Sequence, residues 1–142
     1  MPDNRSQPPS GLKYGGTAIY VDGDVRRVLD FYDRAFGLAT RHYDPALEYG
    51  DVESGGAIIG FASRATGKFL MGERYPESPD GKPHGVEIAF FVEDVEAAFR
   101  RAVDAEAAVL AEPKVMPWGQ TVAYVGSIEG TIVGLCTPMP AR

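Results

Sequence analysis

Two short apolar stretches, each followed by a helical stripe, set the pattern of this chain. Thr17-Ala18-Ile19-Tyr20-Val21 reads as a strand, with Asp24 after it as a helix N-cap candidate. Val25, Val28, Leu29, Tyr32 and Phe36 then fall at i, i+3, i+4, i+7 and i+11, the apolar face of an amphipathic helix. Gly37 supplies the stop. The same order returns later. Val86-Glu87-Ile88-Ala89-Phe90-Phe91-Val92 is a strand pattern, Asp94 the cap candidate, and Val95, Ala98, Phe99, Ala102 and Val103 the helical stripe. Val21 and Val92 are 71 residues apart, and Asp24 and Asp94 are 70 apart.

A second pair of segments repeats more closely. Gly56-Ala57-Ile58-Ile59-Gly60-Phe61-Ala62-Ser63 matches Gly130-Thr131-Ile132-Val133-Gly134-Leu135-Cys136-Thr137 at an offset of 74. Each follows a tyrosine-containing strand candidate, near 47–52 and 121–125. A repeat at fixed offset outranks local propensity as a fold signal. It predicts two tandem βαβββ modules, about 14–63 and 85–138, within one α+β domain spanning 13–138. Residues 1–12, with Pro2, Pro8 and Pro9, read as a disordered arm, and 139–142 as a tail. The connector 64–84 holds Pro76, Pro79, Gly81 and Pro83. It is either a polar surface linker or a functional loop with a short helix near Phe69-Leu70-Met71.

Composition narrows the function classes. The chain has 142 residues, 44% hydrophobic and 24% charged, enough for one core. No apolar run approaches the ~20 residues that span a membrane, and the first residues lack a secretory pattern. A cytoplasmic protein is therefore expected. Fourteen Lys and Arg against 20 Asp and Glu give a net charge of -6, and the longest basic cluster is a pair, Arg26-Arg27 or Arg100-Arg101. Binding to nucleic acid or to an anionic membrane is not expected. With one cysteine, Cys136, neither an internal disulfide nor a thiolate cluster can form. With two histidines, His42 and His84, a metal site would need mostly carboxylates. Cys136 reads as a small buried apolar residue rather than a nucleophile.

The repeat resembles the vicinal oxygen chelate superfamily, which includes glyoxalase I, extradiol dioxygenases, and fosfomycin- and bleomycin-resistance proteins. The resemblance rests on Ile19-Tyr20-Val21 through Asp24, Phe31-Tyr32 and Phe36-Gly37-Leu38 in the first half. In the second it rests on Val86 to Phe90, Asp94-Val95, Glu112-Pro113, Pro117-Trp118-Gly119-Gln120 and the strand Gly130 to Pro138. It implies a cupped, open, barrel-like mixed sheet with helices outside. Two turns depart from the family pattern: Ser127-Ile128-Glu129-Gly130 stands where Asp-Pro-Asp-Gly is common, and Glu106 stands where the second helix often ends in Gly.

Metal-bearing relatives take ligands from four inward strand positions. The resemblance places Gly16, Gly60, Glu87 and Gly134 there. Three glycines offer no side-chain ligand, and one carboxylate alone does not hold a catalytic divalent ion. No metal or other cofactor is expected. The glycines are either bends or vacated volume for an organic ligand.

Strand alternation sorts the rest. Ile19, Val21, Ile88, Phe90 and Val92 should face the helices. Ala18, Tyr20, Glu87, Ala89 and Phe91 should face the cup, joined by Tyr49, Gln120 and Tyr124, with Trp118 at the rim. Aromatic walls suit planar or amphipathic ligands. Glu87 is the candidate to pair a ligand cation or act as a general base, and burial in an apolar cup would raise its affinity for a proton.

The leading expectation is a metal-independent, homodimeric binding protein of the glyoxalase/bleomycin-resistance type. It would sequester a small organic ligand, aromatic or cationic, such as a drug. The alternatives are a glyoxalase-like lyase or dioxygenase, through unrecognised metal ligands or acid–base chemistry at Glu87, and a structural dimer with a vestigial site.

Overall fold

The computed structural model describes residues 14–75 and 86–138. The arm at 1–12, the tail at 139–142, His84 and the later part of the connector lie outside the described residues. The first module runs β1 (Gly16–Val21), α1 (Val25–Phe36), β2 (Thr40–Asp44), β3 (Tyr49–Val52) and β4 (Ile58–Ser63). The second runs β5 (Glu87–Phe91), α3 (Val95–Asp104), β6 (Ala108–Val115), β7 (Thr121–Gly126) and β8 (Ile132–Cys136). Between them, α2 (Arg64–Met71) and a 3-10 turn (Gly72–Arg74) occupy the start of the connector, so the short helix is present.

Both long helices start as their caps dictate. The Asp24 carboxylate accepts the Arg26 N–H at 2.9 Å, and the Asp94 carboxylate accepts the Ala97 N–H at 3.0 Å. Their ends differ. Gly37 closes α1 in the left-handed region, φ 71°. After α3 the left-handed residue is Glu106, φ 80°. A side chain there costs on the order of 1 kcal/mol, which a glycine would avoid. The turn departure noted in the sequence is therefore a strained position rather than a change of fold.

The strands form two four-stranded mixed sheets, ordered β1-β4-β3-β2 and β5-β8-β7-β6. In each, the first strand lies parallel to the last, Ala18 beside Gly60 and Ala89 beside Gly134. The two ladders are therefore equivalent, as the repeat requires. Neither sheet closes, and no described strand of one sheet pairs with a strand of the other.

The modules join through their helices. Val21, Val28, Leu29, Phe31, Tyr32 and Phe61 of the first module share one buried cluster with Val95, Ala102, Val125, Val133 and Leu135 of the second. Ile19, Ile88, Phe90 and Val92 pack against it, as alternation predicted. The Phe36 and Phe90 rings meet across the boundary at 5.5 Å. Two polar links reinforce it. Arg101 of α3 donates to the last carbonyls of α1, at 3.1 Å to Arg34 and 3.4 Å to Asp33. The Tyr32 hydroxyl donates to Glu129 Oε2 at 3.0 Å. Burial, and then the neighbouring Glu129 charge, push the Tyr32 hydroxyl well above its ordinary pKa.

Candidate functional site

Because the helices cover one face of each sheet, the candidate residues gather on the opposite face. Register defines that face. In the first sheet, Gly16, Ala18 and Tyr20 stand beside Ile58, Gly60 and Ala62, with Tyr49 opposite Ala62 and Asp51 opposite Gly60. In the second, Glu87, Ala89 and Phe91 stand beside Ile132, Gly134 and Cys136, with Tyr124 opposite Gly134 and Val122 opposite Cys136. The predicted lining thus divides into two half-cups. One holds Gly16, Ala18, Tyr20, Tyr49 and Gly60, the other Glu87, Phe91, Tyr124 and Gly134. A shallow cleft of about 540 Å³ lies elsewhere, on the helix side, lined by Arg34, Arg100, Arg101 and Asp104 among others. None of the predicted site residues borders it.

The glycines do not open volume, which corrects one of the two expectations for them. A Cβ at Gly60 would sit 2.7 Å from the Tyr49 hydroxyl oxygen and 2.9 Å from its ring. At Gly134 it would sit 2.8 Å from Glu87 Oε2 and 3.2 Å from the Tyr124 ring. At Gly16, where φ is 154°, it would meet the Ile58 carbonyl oxygen at 2.6 Å. Each glycine is a seat. At Gly60 and Gly134 a neighbouring side chain lies directly on bare backbone, and at Gly16 the adjacent strand's backbone does.

Beneath Tyr49 lies a residue that sequence reasoning missed. Asp51 is 2% exposed, on the cup face of β3. Its Oδ1 accepts from Arg41 Nε at 2.9 Å and its Oδ2 from Arg41 Nη2 at 2.8 Å. Oδ2 also accepts the Tyr49 hydroxyl at 2.9 Å. A buried carboxylate is costly unless paired, and this one has three charge-assisted or hydroxyl donors. The Arg41 side chain remains 47% exposed. A register shift between Thr40 and His42 brings Arg41 to Asp51. Burial, followed by the bond to Asp51, raises the Tyr49 hydroxyl above its ordinary pKa.

The second half-cup is more open. Glu87 is exposed, and Phe91 is 66% exposed. The burial expected of Glu87 is therefore absent in the single chain. Its charge is still felt nearby. Burial chiefly, and Glu87 next, raise both the Tyr124 hydroxyl and the Cys136 thiol above their ordinary values. A raised thiol, 9% exposed, suits the apolar role expected of Cys136.

At the rim, Trp118 is 56% exposed. Its Nε1 donates to Gln120 Oε1 at 2.7 Å, and Gln120 Nε2 donates to the Thr137 carbonyl at 2.7 Å. Gln120 is buried, so it orients Trp118 rather than lining the cup itself. Facing β1 from the connector, Tyr75 packs edge-on to Tyr20 at 5.5 Å and lies over Gly67 of α2. Among the described residues, no three His, Cys, Asp or Glu side chains gather as a metal-binding group.

Residues 16–131 match the model of the Glyoxalase/Bleomycin resistance protein/Dioxygenase superfamily. Solved structures with the same fold include a glyoxalase-related enzyme from Fulvimarina pelagi, with a TM-score of 0.75 and 19% identity over 89% of this chain and 88% of that one. A glyoxalase/bleomycin resistance protein/dioxygenase family enzyme from Burkholderia phytofirmans PsJN gives 0.76 and 17%, over 89% and 98%. TioX from Micromonospora sp. ML1 gives 0.63 and 24%, over 87% and 98%. At these identities the likeness is one of fold. No curated protein matches the chain.

Proposed function

The chain belongs to the Glyoxalase/Bleomycin resistance protein/Dioxygenase superfamily, and from that premise we propose that it is a metal-independent binding protein that sequesters a small organic ligand. One observation carries this reading. At the positions where metal-bearing relatives place ligands, three are glycines, and the space beside them is taken by Tyr49, Ile58, and Glu87 with Tyr124. Glu87 is the single carboxylate of that set, and a catalytic divalent ion needs about three protein ligands. The donor set does not fit the metal.

What remains is suited to an aromatic or cationic organic molecule. Tyr20, Phe91, Tyr124 and Trp118 offer ring faces, and Glu87 offers a negative charge. The cup is completed in this reading by a homodimer, because each half-cup is open and β1 and β5 are edge strands of their sheets. Acid–base chemistry is the second reading, favoured by the Tyr124 hydroxyl lying within the influence of the Glu87 carboxylate.

Trp118 is the only tryptophan in the chain, so its fluorescence reports on the rim. A panel of aromatic amines and cations is titrated against the protein and against E87Q, with molecular mass followed by light scattering. Saturable quenching by a member of the panel, weakened in E87Q, supports the binding reading. Turnover of a bound compound that E87Q abolishes replaces it with the enzyme reading. A dimer that binds nothing leaves the vestigial cup.

A further inference from the structure

We propose that Arg41 is the anion-recognising residue of the cup, so that the ligand is an aromatic or amphipathic molecule bearing an oxyanion such as a carboxylate or sulfonate. This rests on the binding reading above, takes its aromatic rather than its cationic form, and gives that ligand a negative charge.

The geometry supplies the argument. Arg41 sits at the register shift of β2, a device that redirects one side chain out of strand alternation. Its Nε and Nη2 are engaged by the Asp51 carboxylate, which is itself buried and further held by Tyr49. The guanidinium is therefore fixed in plane. A guanidinium has five N–H donors, and this pairing uses two. The remaining donors, on Nη1 and the outer side of Nη2, belong to a side chain 47% exposed. Asp51 cancels the net charge of Arg41, so the pair offers directed hydrogen bonds rather than a field. Such an arrangement favours a fork-matching oxyanion over a simple anion. A surface ion pair held for stability alone needs neither a buried carboxylate nor a bulge. Here Tyr49, which braces Asp51, also covers Gly60 in the half-cup, so the clamp is continuous with the proposed ligand wall.

The test compares two fluorescent probes sharing one ring system, 1-anilinonaphthalene-8-sulfonate, which carries a sulfonate, and N-phenyl-1-naphthylamine, which carries none. Dissociation constants are measured for the full chain, R41Q, the double variant R41Q/D51N, and R27Q. The double variant removes the unpaired buried carboxylate that could unfold R41Q, and it preserves the net charge. R27Q removes an exposed charge of α1 elsewhere. The expected result is sulfonate binding weakened about tenfold or more in R41Q and R41Q/D51N, with the neutral probe within about twofold and R27Q unchanged. Unchanged sulfonate binding in the double variant overturns the clamp and leaves the binding cup standing. Equal loss of both probes with loss of the dimer also overturns it, because Arg41 then serves a subunit contact. If the unaltered chain binds neither probe, the clamp is overturned, and the titration with aromatic amines and cations decides the binding reading separately.

Discussion

Replacing Gly60 with alanine separates the two meanings a strand glycine can have. If the glycine leaves open volume, alanine is neutral or stabilising by about 0.5–1 kcal/mol, because it removes the conformational cost of glycine. Instead, the added Cβ would lie 2.7 Å from the Tyr49 hydroxyl oxygen and 2.9 Å from its ring. A free tyrosine could swing aside. This one is tethered at 2.9 Å to the buried Asp51. Overpacking of this kind costs about 1–3 kcal/mol, and the backbone gain offsets up to about 1. The expected net loss is about 1–2 kcal/mol, or roughly 3–8 °C in Tm for a chain of this size. The decisive comparison is a double-mutant cycle by chemical denaturation. In the Y49A background the seat is empty, so G60A should change sign and stabilise by about 0.5–1 kcal/mol. A G60A single variant as stable as the parent, or a cycle with no coupling, would refute the seated-tyrosine geometry.

Three further outcomes follow from the same structure. The raised Tyr32 hydroxyl favours the folded state fully below pH ~10, the ordinary tyrosine value. Stability should fall as pH rises beyond it, by about 1.4 kcal/mol per unit, until the folded-state value is passed. Urea denaturation at pH 7 and 10.5 checks this. Y32F should be less stable at pH 7, having left Glu129 without a donor, yet flatter in alkali. Cys136 should react with a disulfide reagent at pH 8 at least roughly tenfold more slowly in the native protein than in guanidinium, and E87Q should speed the native reaction by lowering its raised pKa. Finally, incubation with Ni, Zn, Mn or Fe(II) followed by desalting should leave near-zero bound metal. Stoichiometric uptake of one ion would overturn the placement of Gly16, Gly60 and Gly134.

The fold was legible because the chain states it twice. The offsets of 70 to 74 residues pair β1 with β5, α1 with α3 and β4 with β8, and period-2 alternation assigned their faces correctly. The polar interior was not legible. Asp51 lies in Tyr49-Gly50-Asp51-Val52, a stretch that reads as a half-wet strand. Its partner Arg41 reaches it only because a register shift breaks alternation. Likewise Tyr32 and Glu129 are 97 residues apart, and nothing local marks either as the other's partner. The glycine seats required knowing which strand lies beside which. A tyrosine or glutamate on the neighbouring strand, opposite a glycine as Tyr124 is or two positions diagonal to it as Tyr49 and Glu87 are, is the signal that would have found the seats at Gly60 and Gly134.

The sheets put their largest buried apolar side chains on one side. Val21, Phe61, Val133 and Leu135 face the helices with no more than 1% exposure, whereas Gly16, Ala18, Glu87, Ala89 and Phe91 on the opposite face are exposed. Substitution at Ala18, Glu87, Ala89 or Phe91 changes what the strands present without disturbing what holds them, whereas Gly16 is held to glycine by the Ile58 carbonyl beside it. Such a scaffold can change the face it offers to solvent through substitution at a handful of β1 and β5 positions. The duplicated architecture lets one half-cup change while the other keeps its lining.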